Sequence, residues 1–538
     1  MPAGSLEKMK TAILYGADAV YAGTPDLCLR TKSEFSLEQL EEGIEFAHHH
    51  GKKVYLTLNL FSHNKDIKKL PVFIETIRKL KPDGVIIADP GVFQFVKEHA
   101  PELELHISTQ ANVCSWLTVD FWKAQGASLV VLAREVSFEE LKEIRERCSD
   151  IKLEAFVHGS MCMTYSGRCL LSNFMAERGS NQGNCAQSCR WDYKVKMRLK
   201  DGTIQEIPLN DETKGLFEFL LEEEFRPGDF MPIEEDDRGS YILNAKDLCL
   251  LPKLDEYLKL GINSLKVEGR NKTNYYAAIV AHTYRHAIDD WYENPEAWNP
   301  EKYLDELATL QNRGYTLAFH EGRLTNMAHN YDSAKSVAEY EFSGFIREWQ
   351  GEDMIFEIKN TIQGGELIQF IAPALREPIR VRLPDFTDAD TGVITEKVSP
   401  GQRKAIRIPR SIFQTILQDE VRDILPAYTV ARKKKRITEE ERARMLLDIE
   451  SQKAELEQRD IDPKFKQEIA ASIAKHEAHV EKQTLKAKGP KLGTEGCCGK
   501  GCNGCLVFWN DDRFAKGREL MKAKKPGEKL EAHAKHLV

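Results

Sequence analysis

Five cysteines in the middle of the chain carry its strongest chemical signal. Cys162, Cys169, Cys185 and Cys189 stand inside the run from Glu154 to Trp191, EAFVHGSMCMTYSGRCLLSNFMAERGSNQGNCAQSCRW, and Cys249 follows after a long insertion. Thiols this close read as ligands before they read as disulfides when nothing in the sequence points to export. A 4Fe-4S cluster needs four thiolates converging on a cube of iron and sulfide. Cys162 and Cys169 sit on a loop opened by Gly159 and Gly167, and Cys185 follows a flexible Asn-Gln-Gly-Asn stretch. These three, with Cys249 as the fourth, are the expected ligands, and Cys189 is the alternative fourth. Reduced thiols or a zinc site are the competing readings. Zinc favours tight Cys-x-x-Cys pairs, which this loop lacks.

A second group, Cys497, Cys498, Cys502 and Cys505, is packed into GCCGKGCNGC near the C-terminus. Three of these have the Cys-x3-Cys-x2-Cys spacing of radical SAM enzymes, but that motif belongs near the start of a βα barrel. A second iron-sulfur cluster or a zinc knuckle is the expected use. The same run matches a dinucleotide fingerprint by chance, since no strand or βαβ unit surrounds it. Serine-hydrolase and zinc-protease motifs are absent. In His476-Glu477-Ala478-His479 the two imidazoles do not share a helix face at i, i+4.

The elements that position these residues have a regular beat. Short apolar runs at Ala19–Ala22, Val54–Asn59, Val85–Asp89, Leu103–Ser108, Leu129–Ala133, Leu153–Val157 and Ser264–Val267 alternate with amphipathic helices. Such runs predict parallel strands buried on both faces. Ser36 with Gln39 and Ser137 with Glu140 predict capping boxes. Seven strands predict a TIM-like βα barrel one strand short, with a doubly wound open sheet as the rival. Asn59, Asp89, Gln110, Arg134, His158, Glu268 and Arg270 stand at or just past strand ends, where a barrel collects its active site.

The rest of the chain divides by pattern. KVKMRLKDGTIQEIPL reads as a hairpin turning at Asp201-Gly202, and Glu222–Asp237 as an acidic surface excursion. Short strands from about Ser343 to Arg432 predict a small antiparallel β domain. Charged helices and a Cys-rich, basic tail follow. The expected domains are 1–335, a TIM-like barrel with the cysteine loop; 336–436, the small β domain; 437–490, a charged helical segment; and 491–538, the Cys-rich motif and tail. At 538 residues, 42% hydrophobic and 30% charged, the chain is long enough for two to four domains with real cores. No run approaches the ~20 apolar residues of a membrane span. MPAGSLEKMK has no apolar leader core, so a cytoplasmic location and no membrane partner are expected. The net charge of −8 gives no global pull towards nucleic acid. Lys433–Lys435, Arg436, Arg403, Lys404, Arg407 and Arg410, in or beside the β domain, are candidates to grip phosphates.

EAFVHGSMCMTYSGRCLLS, NCAQSCRW, SLKVEGR, STQANV and PAGSLEKMKTAILYGADAVYAG together resemble the collagenase-like peptidase family U-32. The resemblance covers about residues 1–430 and is most similar to its prephenate-dependent tRNA uridine 5-hydroxylase branch. It implies an oxygen-independent hydroxylase with a 4Fe-4S cluster, tRNA as substrate, 5-hydroxyuridine as product and prephenate as the hydroxyl donor. It maps the cluster thiols onto Cys162, Cys169, Cys185 and Cys249. It also implies a short first strand before Pro2-Ala3-Gly4, so that strand is expected to be missing. A dicarboxylate donor needs cations, and Arg134, Arg168, Arg190, Lys266 and Arg270 are the candidates. His158 and Glu268 are the candidate acid-base groups. A peptidase, as the family name says, is the rival function. A non-catalytic iron-sulfur or scaffold protein, with an accessory partner at the C-terminal extension, is the third reading.

Overall fold

All seven predicted runs form strands, and an eighth precedes them. The computed structural model describes residues 1–23, 35–59, 62–162, 164–165, 168–176, 185–186, 188, 245–322, 339–401, 404–413 and 420–435. It also describes the backbone of strands between 196 and 241 and isolated helical positions between 442 and 480. The strands are β1 (Pro2–Ala3), β2 (Ala19–Gly23), β3 (Lys53–Leu58), β4 (Gly84–Ile87), β5 (Glu104–Ile107), β6 (Leu129–Val131) and β7 (Lys152–Ser160). They are followed by β8 (Asp247–Cys249), β9 (Ser264–Val267) and β10 (Tyr315–Thr316). β1 to β7 pair in sequence, each parallel to the next, and β9 pairs parallel with β7. The expectation of a missing first strand is corrected: Pro2 and Ala3 themselves pair with Tyr21 and Ala22. β9 is also tied back towards the first strands. The Tyr21 hydroxyl donates to the Val267 carbonyl at 2.8 Å, and the Lys8 ammonium donates to the Arg270 carbonyl at 3.3 Å.

The helices form where the caps predicted. Ser36 with Gln39 and Ser137 with Glu140 make complete capping boxes at Leu37–His49 and Phe138–Arg147. Helix Leu70–Leu80 buries Leu70, Phe73, Ile74, Ile77 and Leu80, the i, i+3, i+4, i+7 stripe that faces a sheet. Each such side chain contributes about 1.5–3 kcal/mol on burial. Val54, Leu56, Val85, Ile87, Ile107, Val130 and Leu153 join them in one core.

The insertion after β7 contains the predicted hairpin, Lys196–Arg198 paired antiparallel with Ile204–Glu206. Within the acidic stretch, Phe230–Asp236 is the middle strand of a three-stranded antiparallel sheet. Beyond Tyr340 an eight-stranded antiparallel sheet encloses a second core that includes Ile346, Phe356, Phe370 and Ile406. Arg432 from this sheet is buried against helix Asn274–Glu293 and its successor. It donates to Glu306 at 2.6 Å, the Tyr275 hydroxyl at 3.2 Å and Gln369 at 2.9 Å. Three of the proposed phosphate-gripping cations have carboxylate partners: Lys433 is buried with Glu366 at 2.8 Å, and Lys404 pairs with Asp388. Arg410 pairs with Glu352. Met1–Lys434 form one unit and Lys435–Val538 a second. The four C-terminal cysteines and nearly all of the predicted charged helices lie outside the described residues. Among the described residues no helix is long and apolar enough to cross a membrane.

Candidate functional site at the end of β7

The register of β7 breaks where the chemistry begins. Lys266 faces Phe156 but Val267 faces His158, so Val157 is the extra residue of a β-bulge. Bulges bend a strand and re-aim its side chains, and they are common beside active sites. β8 then joins β7 from the opposite direction, with Asp247, Leu248 and Cys249 against Ser160, Gly159 and His158. Gly159, at φ +122°, is required here because a Cβ would lie 2.5 Å from the Glu268 carbonyl. The Leu250 amide donates to Val157 and the Glu268 amide to His158, both at 2.8 Å. His158, Cys249 and Glu268 are thus brought to one place. Cys249 lies on a strand, and the α-helix after it spans Leu254–Lys259.

His158 is 1% exposed, with the rings of Tyr276, Tyr284 and Tyr315 at 5.9, 5.7 and 5.4 Å. Burial drives its pKa down to about 4, with Asp247 opposing, so the imidazole is neutral at physiological pH. The Tyr284 hydroxyl donates to the Val157 carbonyl at 3.0 Å, 3.5 Å from His158 Nδ1 and 4.0 Å from Cys249 Sγ. Burial pushes the Cys249 thiol up to about 11. Asp247 is held by Arg313 in a buried ion pair.

Glu268 and Arg134 form a second pole. The Arg134 guanidinium stacks on Phe156 at 4.1 Å and donates to the Ser160 carbonyl at 3.2 Å and to Glu268 at 3.4 Å. Arg134, Arg270 and Glu268 all bear electrostatically on the buried phenol of Tyr21. Burial, with Glu268 adding to it, drives that pKa far up. Lys266 shares the Tyr21 ring with this group but has its own carboxylate. It donates to the buried Glu154 at 2.6 Å and lies 4.2 Å over the Tyr21 ring. Lys266, with the Ser264 hydroxyl, holds Glu154 ionised below its ordinary pKa against the cost of burial. Asp89 of the predicted strand-end group caps helix Pro90–His99 instead, and Asn59 donates to Ser108 at 3.1 Å.

The cysteine loop leaves from Ser160. Cys162 is exposed, and Cys169 and Cys185 are half-buried. Between the latter two, the buried Ser172 hydroxyl of helix Leu171–Ala176 accepts the Ala186 amide at 2.8 Å. One hydrogen bond therefore joins the chain just past Cys169 to the chain just past Cys185. Arg168 donates to Asn112 from the same loop. Cys189 and Arg190 lie outside the described residues. A set of thiols suits an iron-sulfur cluster or another soft metal, not a hard cation. Among the described residues no three or more His, Cys, Asp or Glu side chains are gathered closely enough to hold a metal ion.

Sequence reasoning missed Tyr21 and the tyrosine cage. Tyr276 and Tyr284 are eight residues apart on one helix, close to two turns, and that spacing was the available signal. Tyr315 and Ser172 had no local signature.

Residues 4–330 match the family model described as peptidase family U32. A relative named tRNA hydroxylation protein P, from Escherichia coli (strain K12), is 40% identical over 390 residues, 69% of this chain and 85% of the relative. Another of that name, from Haemophilus influenzae (strain ATCC 51907 / DSM 11121 / KW20 / Rd), is 36% identical over 433 residues, 76% of this chain and 93% of the relative. A relative named Collagenase, from Porphyromonas gingivalis (strain ATCC BAA-308 / W83), is 29% identical over 348 residues, 62% of this chain and 75% of the relative. With more than half of its length matched by the family model, the chain belongs to peptidase family U32.

Proposed function

We propose that this protein is a tRNA-modifying hydroxylase that forms 5-hydroxyuridine without oxygen, in the cytoplasm where its substrate is made. The observation that carries this is the match to the two tRNA hydroxylation proteins across 85% and 93% of their lengths. In this reading β1 to β7 and β9 make a TIM-like barrel, whose sequential parallel order and Tyr21–Val267 link support it. Its mouth is the end of β7. Cys162, Cys169, Cys185 and Cys249 would hold a 4Fe-4S cluster, which supplies electron transfer when bound. Prephenate would be the donor. Arg134 and Arg270 would receive its carboxylates, with Arg168 and Arg190 as further candidates. Lys266 we assign to holding Glu154 instead.

Glu268, partly exposed beside Arg134, is the group we assign to take or give a proton at its carboxylate. His158 is enclosed and neutral, and we assign it to positioning Cys249 and the tyrosines rather than to proton transfer. The small β domain would carry tRNA, and Cys497, Cys498, Cys502 and Cys505 would hold a second iron-sulfur cluster or zinc and engage an accessory partner.

The test is iron and acid-labile sulfide per chain after anaerobic purification, paired with tRNA nucleoside analysis in cells lacking the gene. Wild type is expected to hold about four irons in the barrel, besides any in the tail, and to restore 5-hydroxyuridine. Cys169→Ala is expected to lose the barrel's iron and the product, and truncation before Gly496 to keep the barrel's iron. A folded wild type without iron after reconstitution, or without effect on the nucleoside, overturns the reading. Iron-independent peptide cleavage would put the peptidase, favoured by the collagenase-named relative, in its place.

A further inference from the structure

We propose that the outward face of helix Leu171–Ala176, with Phe174 at its centre, is the ledge on which an unpaired nucleobase of the RNA substrate stacks. This rests on the tRNA reading above and gives it a contact surface.

Three observations carry the ledge. Phe174 is 84% exposed, Leu170 76% and Tyr165 54%, with Met175 beside them, an unusual concentration of bare apolar side chains on one loop. The helix cannot roll to hide them, because Ser172, on its opposite side, is buried and fixed to the Ala186 amide at 2.8 Å. Charge is present in the right place. Arg168 donates its amide to the Tyr165 carbonyl at 3.0 Å and its guanidinium to Asn112, so a cation stands in the loop between Tyr165 and the helix.

Aromatic faces flanked by arginine are how proteins hold single-stranded RNA. Unstacked bases lie on rings or guanidinium planes while the cation meets phosphate. A base inside a helix offers no such face, so the ligand is a loop or a nucleotide turned out of its stack. The location fits. The helix begins two residues after Cys169, and its Ser172 bond ends beside Cys185, so the ledge borders the thiols of the candidate site. A protein partner would use the same patch differently. It would bury Leu170 and Met175 as fully as Phe174, whereas a base gains chiefly from ring faces.

The experiment measures binding of unmodified tRNA to the full chain, purified anaerobically, for wild type, Phe174→Ala, Phe174→Trp and Leu170→Ala. Phe174→Ala is expected to weaken binding about tenfold or more, Phe174→Trp to retain it, and Leu170→Ala to change it by less than about threefold. Thermal unfolding midpoints should be unchanged, since these side chains are exposed. Wild type that does not bind tRNA overturns the tRNA reading and the ledge with it. Wild type that binds, with Phe174→Ala binding equally well, overturns the ledge alone. Leu170→Ala costing as much as Phe174→Ala overturns it too, because the patch then contributes through general apolar burial and not through a ring face.

Discussion

Cys249 and His158 are directly opposed partners on antiparallel strands, and the Tyr284 hydroxyl reaches both, 4.0 Å from the sulfur and 3.5 Å from Nδ1. This puts a buried thiol at the end of β7, two residues before the cysteine loop departs. A neutral thiol raised to about 11 must lose its proton to serve as a ligand, and a metal ion supplies the driving force.

We take Cys249, in preference to Cys189, as the fourth ligand of the proposed cluster. Cys249→Ala is expected to lose most of the bound iron and sulfide, and Cys189→Ala to retain them. Anaerobic iron analysis with the visible absorption spectrum decides it. Full iron in Cys249→Ala would reverse the assignment.

Lys266→Met should be strongly destabilising. It leaves the Glu154 carboxylate buried with only the Ser264 hydroxyl and distant charges to satisfy it. Removing one partner of a buried pair costs about 3–5 kcal/mol. The double variant Glu154→Leu/Lys266→Met should recover a large part of that loss. Urea unfolding of both variants measures it, and a single variant as stable as wild type would refute a structural role for the pair.

Gly159→Ala should also be destabilising, by about 2 kcal/mol or more. Its φ of +122° disfavours a side chain, and the new Cβ would meet backbone, the Glu268 carbonyl, at 2.5 Å. Because that carbonyl belongs to the β9 end, the variant should also disturb Glu268. The expected signature is loss of both unfolding free energy and nucleoside product, with near-normal iron.

Acid should weaken the seam between helix Asn274–Glu293 and the small β sheet. His286 is pushed down from 6.5 to about 4 by burial, with His282 and Arg376 adding to it and Asp289 and Asp290 opposing. His282, which donates to the Leu375 carbonyl at 2.9 Å, is lowered by burial as well. Between pH 6.5 and 4 the unfolded chain therefore binds protons that the folded chain refuses. The stability contribution is complete above pH 6.5 and is lost as pH falls towards 4. The urea midpoint should drop from pH 7 to pH 5, and less steeply in His286→Gln. Equal slopes would exclude His286 as a cause.

The sheet was legible because its signal is local. Val54, Leu56, Val85 and Ile87 are apolar wherever the strand is covered on both faces, and Ser36 and Ser137 announce their helices within four residues. The first strand was not legible, since two residues, Pro2 and Ala3, carry no period. The cysteines could be read by type and spacing, yet not the strand that carries Cys249, which exists only because β7 is there to pair with it. Charge was the least legible property. Lys266 and Lys433 read as available cations in sequence. In the fold each has a carboxylate from a segment far away in the chain, Glu154 and Glu366, and Arg432 likewise has Glu306.

Ser160 and Asp247 are paired across β7 and β8, so the chain leaves the sheet and returns to it at the same point. The sheet therefore has no stake in how long the intervening segment is. Closing a longer loop between fixed ends costs only about 0.6 kcal/mol per doubling. The junction works as a socket. Between Cys189 and Asp247 inserts of different size can be exchanged, by evolution or by engineering, while the thiols before them, Ser160 and Asp247 keep their seats.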